Sequence, residues 1–196
     1  MTREEWLHEL TERLRPAFDA IGQPLPDKVR SSCGFPSHGA LSTRRRVVGQ
    51  CWYPEASTDG TTEVFVSPVQ SDGLTVAETL AHELCHAACG KGHGHKGLFV
   101  EVARKIGFTA PWKSTPATPE LKERLNALLP GPYPHAELHP LPTEKKQSTR
   151  LVKIVCRGCG YTLRTTRKWL ERAGLPICPC SAKAMNEDEP GGNIGA

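Results

Sequence analysis

Residues 74–88 read LTVAETLAHELCHAA, and residues 82–86 within that stretch form the motif HELCH, an HExxH pattern. Apolar residues recur at helical spacing through the stretch, which predicts a single helix. Side chains four residues apart lie on one face of a helix, so His82 and His86 can bind one metal ion. Zinc lowers the pKa of a bound water to about 7, and the neighbouring Glu83 can accept the proton that this water loses. The motif therefore predicts a hydrolytic zinc site.

A hydrolytic zinc site needs a third protein ligand and one open position. The loop GKGHGHKG, residues 90–97, offers two candidates, His93 and His95. His95 lies four residues before Phe99, at the start of the next predicted helix, so its ring can point back at the HExxH helix while Phe99 packs underneath. We expect His95 to be the third ligand, with His93 as the alternative.

The sequence around the motif predicts a mixed domain. Thr2 and Glu5 have the spacing of a capping box and begin an amphipathic helix. The strands predicted after it are Val29–Ser32, Arg46–Trp52 and Glu63–Ser67, and the later helices are Gly73–Cys89, Leu98–Ile106 and Thr118–Leu129. We interpret Glu63–Ser67 as an edge strand beside the site, where an extended substrate could pair with it.

Four cysteines near the C-terminus form two closely spaced pairs, Cys156 with Cys159 and Cys178 with Cys180. Four thiolates at tetrahedral range suit a closed structural zinc site. A module of about 35 residues buries little apolar surface, which gives the metal a role in folding. We therefore predict a second zinc ion, bound by these four thiols.

Positive charge is concentrated in the same part of the chain. Residues 144–172 contain nine Lys and Arg against two Asp and Glu, whereas residues 1–143 contain 15 against 16. Phosphates take up such charge and bases stack on flat side chains, so the segment predicts DNA binding, single-stranded or duplex. The candidate contacts are Arg164, Arg167, Lys168 and Trp169. The alternative is a solvated module that docks the catalytic domain or binds an acidic protein.

Other features restrict the class of protein. No apolar run approaches the roughly 20 residues that span a bilayer, so we expect no membrane partner. The first 14 residues lack the basic start and apolar stretch of a signal peptide, so we expect a cytoplasmic protein with reduced cysteines. Cys85 and Cys89 are interpreted as packing residues, and Cys33 and Cys51 as buried thiols that could approach each other. The run Arg44–Arg46 is either a solvated loop or a phosphate contact.

The segments HELCHAA (82–88), GHGHKGLF (92–99) and VARKIG (102–107) resemble the SprT-like (Spartan-type) zinc metallopeptidases, over roughly residues 2–115. The resemblance implies that His82, His86 and His95 bind the catalytic zinc and that Glu83 is the catalytic base. Residues 148–180 look like the zinc-ribbon tail of bacterial and phage-encoded members. In that family the protease acts on proteins associated with or crosslinked to DNA, which implies a role in the repair of DNA–protein crosslinks.

We therefore expect an α+β fold: a zincin-like minimal metalloprotease domain in residues 1–129 and a basic zinc ribbon in residues 150–185. A Pro-rich linker is expected in residues 130–149 and a disordered acidic, Gly-rich tail in residues 186–196. The expected activity is zinc-dependent hydrolysis of peptide bonds in a protein substrate. The alternative is a non-enzymatic DNA-binding or adaptor protein with structural zinc, but such a site needs no base, so Glu83 weighs against it.

Overall fold

The computed structural model describes residues 1–42, 44–134 and 151–188. Contacts along the chain divide it into two compact units, Met1–Glu144 and Lys145–Ala196. Each unit combines helical segments with a small sheet, so the predicted α+β class is confirmed. Within the described ranges, no helix combines the length and the apolar character needed to cross a lipid bilayer.

The first unit contains four α-helices and three strands among its described residues. In chain order these are α1 (Arg3–Ala20), β1 (Val29–Cys33), β2 (Gly49–Trp52), β3 (Thr62–Val66), α2 (Gly73–Cys89), α3 (Leu98–Ile106) and α4 (Pro119–Leu128). The capping box at α1 is confirmed, because Glu5 N donates to Thr2 Oγ1 at 3.1 Å and Thr2 N donates to Glu5 Oε2 at 2.7 Å. The ends of the other predicted helices and strands agree with the structure to within one or two residues. The exception is β2, which was predicted to begin at Arg46 but begins at Gly49.

Strand β3 lies in the centre of the sheet. It pairs in parallel with β1 and antiparallel with β2, giving the order β1-β3-β2. The prediction that Glu63–Ser67 forms an edge strand is therefore wrong, since alternating burial arises in any strand with one covered face. The edge strand next to α2 is β2. The predicted approach of Cys33 to Cys51 is also wrong, because β3 separates the two strands that carry them.

Helix α2 is the central helix of the first unit. It contacts β2, β3, α1, α3 and α4, and its buried residues occur on most of its circumference, as expected for an element covered on several sides. The core around it includes the large, fully buried side chains Trp6, Phe18, Leu80, Leu84, Phe99 and Phe108. The HExxH motif is thus carried by the most enclosed helix of the fold.

The first residues of the predicted linker pack on the first unit. Trp6 Nε1 donates a hydrogen bond to Gly131 O at 3.0 Å, and the ring of Tyr133 lies edge-on to Trp6 with 5.0 Å between centroids. Residues 130–134 therefore belong structurally to the first unit. The remainder of the predicted linker, residues 135–149, lies outside the described residues.

In its described residues, 151–188, the second unit forms a three-stranded antiparallel sheet with one short helix. Its elements are β4 (Leu151–Val155), β5 (Thr162–Thr166), α5 (Arg167–Ala173) and β6 (Asn186–Glu187), with strand order β5-β4-β6. The prediction of a disordered tail from Asn186 is wrong for its first residues, because Asn186 and Glu187 pair with β4 and Asp188 N donates to Lys153 O. Residues 189–196 lie outside the described part of the chain.

The core of the second unit is small. Its buried residues are Ile154, Cys156, Leu170, Cys178 and Met185. Two of the five are cysteines that were predicted to bind metal, so the apolar side chains alone provide little stabilisation. This is the expected composition of a module whose fold depends on a crosslink or a metal.

Candidate functional site

Helix α2 presents two imidazoles to the same side. His82 and His86 are one turn apart, and their ring centroids are separated by 5.0 Å. Asp72 caps the N-terminus of the helix, and its carboxylate accepts a hydrogen bond from Thr75 N at 2.8 Å. Because α2 is packed against two strands and three helices, the pair is held on a rigid element.

The loop between α2 and α3 adds a third imidazole. His95 Nε2 lies 3.3 Å from His86 Nε2 and 3.2 Å from His82 Nε2. Gly94 and Gly97 have φ angles of +51° and +52°, a left-handed conformation that lets the loop turn back toward α2. His93 is exposed and lies outside this group. Of the two histidines considered from the sequence, the structure places His95 with the HExxH pair.

Phe99 supports the three imidazoles from below. It is fully buried, stacks on His86 with 4.2 Å between centroids, and lies edge-on to His82 and His95 at 5.2 and 5.0 Å. The expectation that Phe99 packs beneath His95 is confirmed. Its ring limits the rotation of all three histidine side chains, which fixes the direction of their Nε2 atoms.

The three imidazoles fit a transition-metal ion. Ligand nitrogens about 2.0–2.1 Å from a zinc ion in tetrahedral geometry are separated by about 3.3 Å, close to the 3.2 and 3.3 Å found here. The grouped atoms are nitrogens, which zinc and similar ions prefer. The chain can therefore hold a metal ion at His82, His86 and His95.

The protonation state of the imidazoles suits the same role. Burial, followed by the neighbouring imidazoles, lowers the pKa of His82 to about 3 and that of His86 to about 4. Burial and the charge of Lys113 also lower the pKa of His95. All three rings are therefore neutral near pH 7, the form in which histidine binds metals.

Glu83 follows His82 on α2, and its carboxyl group lies against strand β2. Burial raises its pKa to about 8. The carboxylate is so close to Gly49 that a Cβ at that position would lie 2.5 Å from Glu83 Oε1 and 2.8 Å from Thr79 Cγ2. Glycine is required at position 49 because any side chain would displace Glu83. We did not predict this role, although a glycine inside a predicted strand often marks a close approach.

The other ring nitrogen of His82 also has a partner. Its Nδ1 atom lies 2.5 Å from Thr115 Oγ1. Thr115 is buried in the loop between α3 and α4. No motif pointed to this residue, because it is 33 positions from His82 in the sequence and only the folded chain brings the two together.

The imidazoles and Glu83 line a cleft of about 800 Å³. Arg45, Arg46 and Lys113 line the same cleft, so the basic run predicted as a solvated loop or a phosphate contact reaches the candidate site. Tyr53 is also at its wall. Burial, followed by neighbouring acidic groups, raises the pKa of Tyr53 to about 12, so its hydroxyl stays protonated and can donate a hydrogen bond.

Burial also affects the cysteines of the first unit. Cys85 and Cys89 are buried in the core. This agrees with their interpretation as packing residues. Burial raises the pKa of Cys85 well above its usual value, that of Cys89 to about 11 and that of Cys51 to about 12. These thiols are protonated at neutral pH, and none of them belongs to a group of potential metal ligands among the described residues.

Three of the four predicted cysteine ligands converge in the second unit. The Sγ atoms of Cys156, Cys159 and Cys178 lie within 4.8 Å of one another, with 3.5 Å between Cys159 and Cys178. Burial raises the pKa of Cys178, but hydrogen bonds from Ser181 and from backbone N–H groups outweigh it and lower that pKa to about 6. The three thiols can therefore hold a metal ion.

Cys180 does not join this group. Ala182 N donates to Cys178 O at 2.9 Å and closes a tight turn, with Cys180 exposed at its apex. The next residue turns inward instead, and Ser181 Oγ lies 3.3 Å from Cys156 Sγ. The predicted set of four thiols is therefore reduced to three, because Cys180 is exposed while Ser181 occupies the place beside Cys156.

The four residues predicted to contact nucleic acid differ in their exposure and in whether their charge is already paired. Arg167 donates two hydrogen bonds to the carboxylate of Glu187, at 2.7 and 2.8 Å, so its charge is already neutralised. Arg164 and Lys168 are exposed. Trp169 is 53% exposed, with the Arg172 guanidinium 5.7 Å above its ring. Trp169 is therefore an accessible surface ring and not part of the small core.

Comparison with protein-family models, with curated proteins and with solved structures found no match.

The two clusters make a prediction about metal content. Purified protein should contain about two zinc ions per chain, one per unit. His82→Ala should remove one and Cys156→Ser the other, whereas His93→Ala should retain both. Cys180→Ser should retain the second ion better than Cys156→Ser, because Cys180 lies outside the thiol cluster. Metal analysis checks this, and a His82→Ala protein with two tightly bound ions would contradict the histidine assignment.

Burial of Glu83 makes a prediction about pH. Its folded-state pKa of about 8 lies above the unfolded value, so its contribution to stability is complete below about pH 4.5 and is lost as pH rises through 8. In metal-free protein, Glu83→Gln should therefore gain stability relative to wild type between pH 5 and pH 8, by roughly 1–3 kcal/mol. Urea unfolding at both pH values measures this difference, with exposed Glu123→Gln as the control. A gain that shrinks as pH rises would refute the prediction.

Proposed function

We propose that this chain is a zinc-dependent metalloprotease of the SprT-like type, with a zincin-like catalytic unit and a C-terminal zinc ribbon. The observation that carries the proposal is the convergence of three Nε2 atoms at the wall of a cleft that the buried Glu83 also lines. This is the ligand set of a hydrolytic zinc site: three neutral imidazoles, with room for a fourth ligand.

Each site residue has a distinct role in the proposed reaction. His82, His86 and His95 hold the metal, which supplies Lewis acidity and makes water nucleophilic near neutral pH. Glu83 accepts a proton from the attacking water and then donates it to the leaving amine. Burial raises the pKa of this carboxyl group to about 8, and the positive charge of a bound metal ion would favour the ionised form that accepts the proton. Gly49 leaves the space that Glu83 needs.

The peptide substrate is expected to lie along strand β2. Gly49, Gln50 and Cys51 of this strand line the cleft, and β2 pairs with β3 on one edge only among the described residues. An extended peptide can add to such an edge through main-chain hydrogen bonds. We therefore expect the substrate to pair with β2 and not with Glu63–Ser67, because the latter segment lies in the centre of the sheet.

The non-enzymatic alternative is less well supported. A structural metal site needs neither a carboxylate beside it nor access to a cleft, and structural zinc is usually enclosed by four protein ligands. Here the three imidazoles line the same cleft as Glu83, Tyr53 and Lys113. These features favour a site that admits a substrate.

The proposed substrates are proteins associated with or crosslinked to DNA in the cytoplasm. The second unit supports this part of the proposal with an exposed tryptophan and exposed basic side chains. Phosphates can bind Arg164 and Lys168, and a base can stack on Trp169. Tethering enzyme and substrate to one polyanion would raise their effective concentration and so stimulate cleavage.

The catalytic role of Glu83 can be tested directly. Glu83→Gln keeps the size of the side chain but cannot accept a proton, so cleavage of a DNA-bound protein should fall by a factor on the order of 10² or more. Metal content should stay at the wild-type level. The control is His93→Ala, which should cleave normally because His93 is exposed and outside the cluster. Full activity of metal-loaded Glu83→Gln would refute the proposed mechanism.

The DNA-binding role makes a second prediction. Arg164→Gln and Lys168→Gln should each weaken DNA binding and reduce the slope of log affinity against log salt by about one unit. Arg167→Gln should have a smaller effect, because Glu187 already neutralises that guanidinium. Salt-dependent binding titrations measure this, with exposed Lys105→Gln of α3 as the matched control.

Two outcomes would redirect the DNA assignment. If Arg164→Gln and Lys168→Gln both kept the wild-type DNA affinity and the wild-type salt dependence, the second unit would not be the DNA-binding unit. Arg44–Arg46 would then become the candidate DNA contact. Trp169→Ala should weaken single-stranded binding more than duplex binding, since bases in a duplex are already stacked. An equal loss for both would contradict the stacking role.

A further inference from the structure

Thr115 combines three features that are rarely found in one residue. It is only 5% exposed. Its φ angle is +35°, in the left-handed region that glycine favours and β-branched residues avoid. Its hydroxyl lies 2.5 Å from His82 Nδ1, on the opposite side of the ring from the Nε2 atom that faces His95. A strained, buried residue in contact with a candidate metal ligand calls for a functional reason.

The loop alone does not require threonine at position 115. Thr115 N donates to Pro111 O at 2.8 Å, a bond that any residue except proline can make. Glycine would adopt the same backbone conformation without strain. What threonine adds is the hydroxyl, and the hydroxyl contacts His82.

The direction of this hydrogen bond follows from the chemistry of imidazole. A ring that binds a metal through Nε2 has its single N–H on Nδ1. His82 Nδ1 therefore donates and Thr115 Oγ1 accepts, which fixes both the tautomer and the plane of the ring. Metal-binding histidines are commonly held by such a partner, and its loss typically lowers metal affinity 10–100-fold.

From these contacts we infer that Thr115 is a positioning residue for the metal site, holding His82 with its Nε2 lone pair directed at the point shared with His86 and His95. The inference depends on the proposed metal-binding function of these histidines. Thr115 acts through His82 and makes no contribution of its own to proton transfer.

Variants at position 115 separate the effect of the hydroxyl from the effect of the backbone conformation. Thr115→Val keeps the β-branched shape and removes the hydroxyl, whereas Thr115→Gly removes the hydroxyl and fits the backbone conformation without strain. Thr115→Ser keeps the hydroxyl. The matched control is Thr109→Val in the same loop, which loses a hydrogen bond from the hydroxyl to Pro116 O but has no contact with a histidine.

The measurement is competition for zinc between the full-length protein and a chelator. Thr115→Val and Thr115→Gly should each bind zinc at the histidine site 10–100-fold more weakly than wild type. Thr115→Ser and Thr109→Val should stay within about threefold. Zinc bound by Cys156, Cys159 and Cys178 is an internal reference, because its affinity should be equal in all variants.

Proton NMR of the zinc-loaded protein provides a second measurement. The His82 Nδ1 proton should be protected from exchange in wild type and in Thr115→Ser, and should exchange faster in Thr115→Val. Wild-type affinity and protection in Thr115→Val would overturn the inference, as would a loss in Thr115→Ser as large as that in Thr115→Val. A wild-type protein that binds no zinc at the histidines would overturn the proposed function as well.

Discussion

Three imidazole nitrogens converge in the first unit, with His95 Nε2 only 3.2 and 3.3 Å from those of His82 and His86, and this spacing constrains the rest of the unit. Burial lowers the pKa of His82 and His86 far below neutrality, so the cluster excludes protons but can still accept a metal ion. Keeping the rings so close requires that α2 be enclosed, that Phe99 lie beneath the rings, and that the glycine-rich loop return His95 to the helix. Helix α2 meets this constraint because it packs against two strands and three helices.

The parts of the site that depend on local spacing could be predicted from the sequence. His82 and His86 follow from the i, i+4 geometry of a helix, and the nearby Gly-rich loop limited the third ligand to His93 or His95. Gly49 and Thr115 could not be predicted, because their roles arise from contacts with Glu83 and His82 that only tertiary packing creates. The order of the strands was missed for the same reason, since β3 has the same alternating pattern in a central or an edge position.

The second unit shows the same division between local and long-range information. Its strands, its short helix and the first cysteine pair follow from local pattern. The ion pair of Arg167 with Glu187 joins residues that are 20 positions apart, so a count of charges overestimated the free positive charge. The exclusion of Cys180 depends on the direction of side chains in one tight turn. Of the four predicted contacts, Arg164, Lys168 and Trp169 remain as exposed groups with which a polyanion can interact.

The claim on which this account depends is that His82, His86 and His95 share one metal ion beside Glu83. Crystals of the zinc-loaded protein, measured at the zinc absorption edge, test it most directly. The account predicts an anomalous peak about 2.0–2.1 Å from the Nε2 atom of each of the three histidines, with Glu83 next to the open coordination position. The absence of a peak at that point, or a peak bonded to His93 instead of His95, would contradict it.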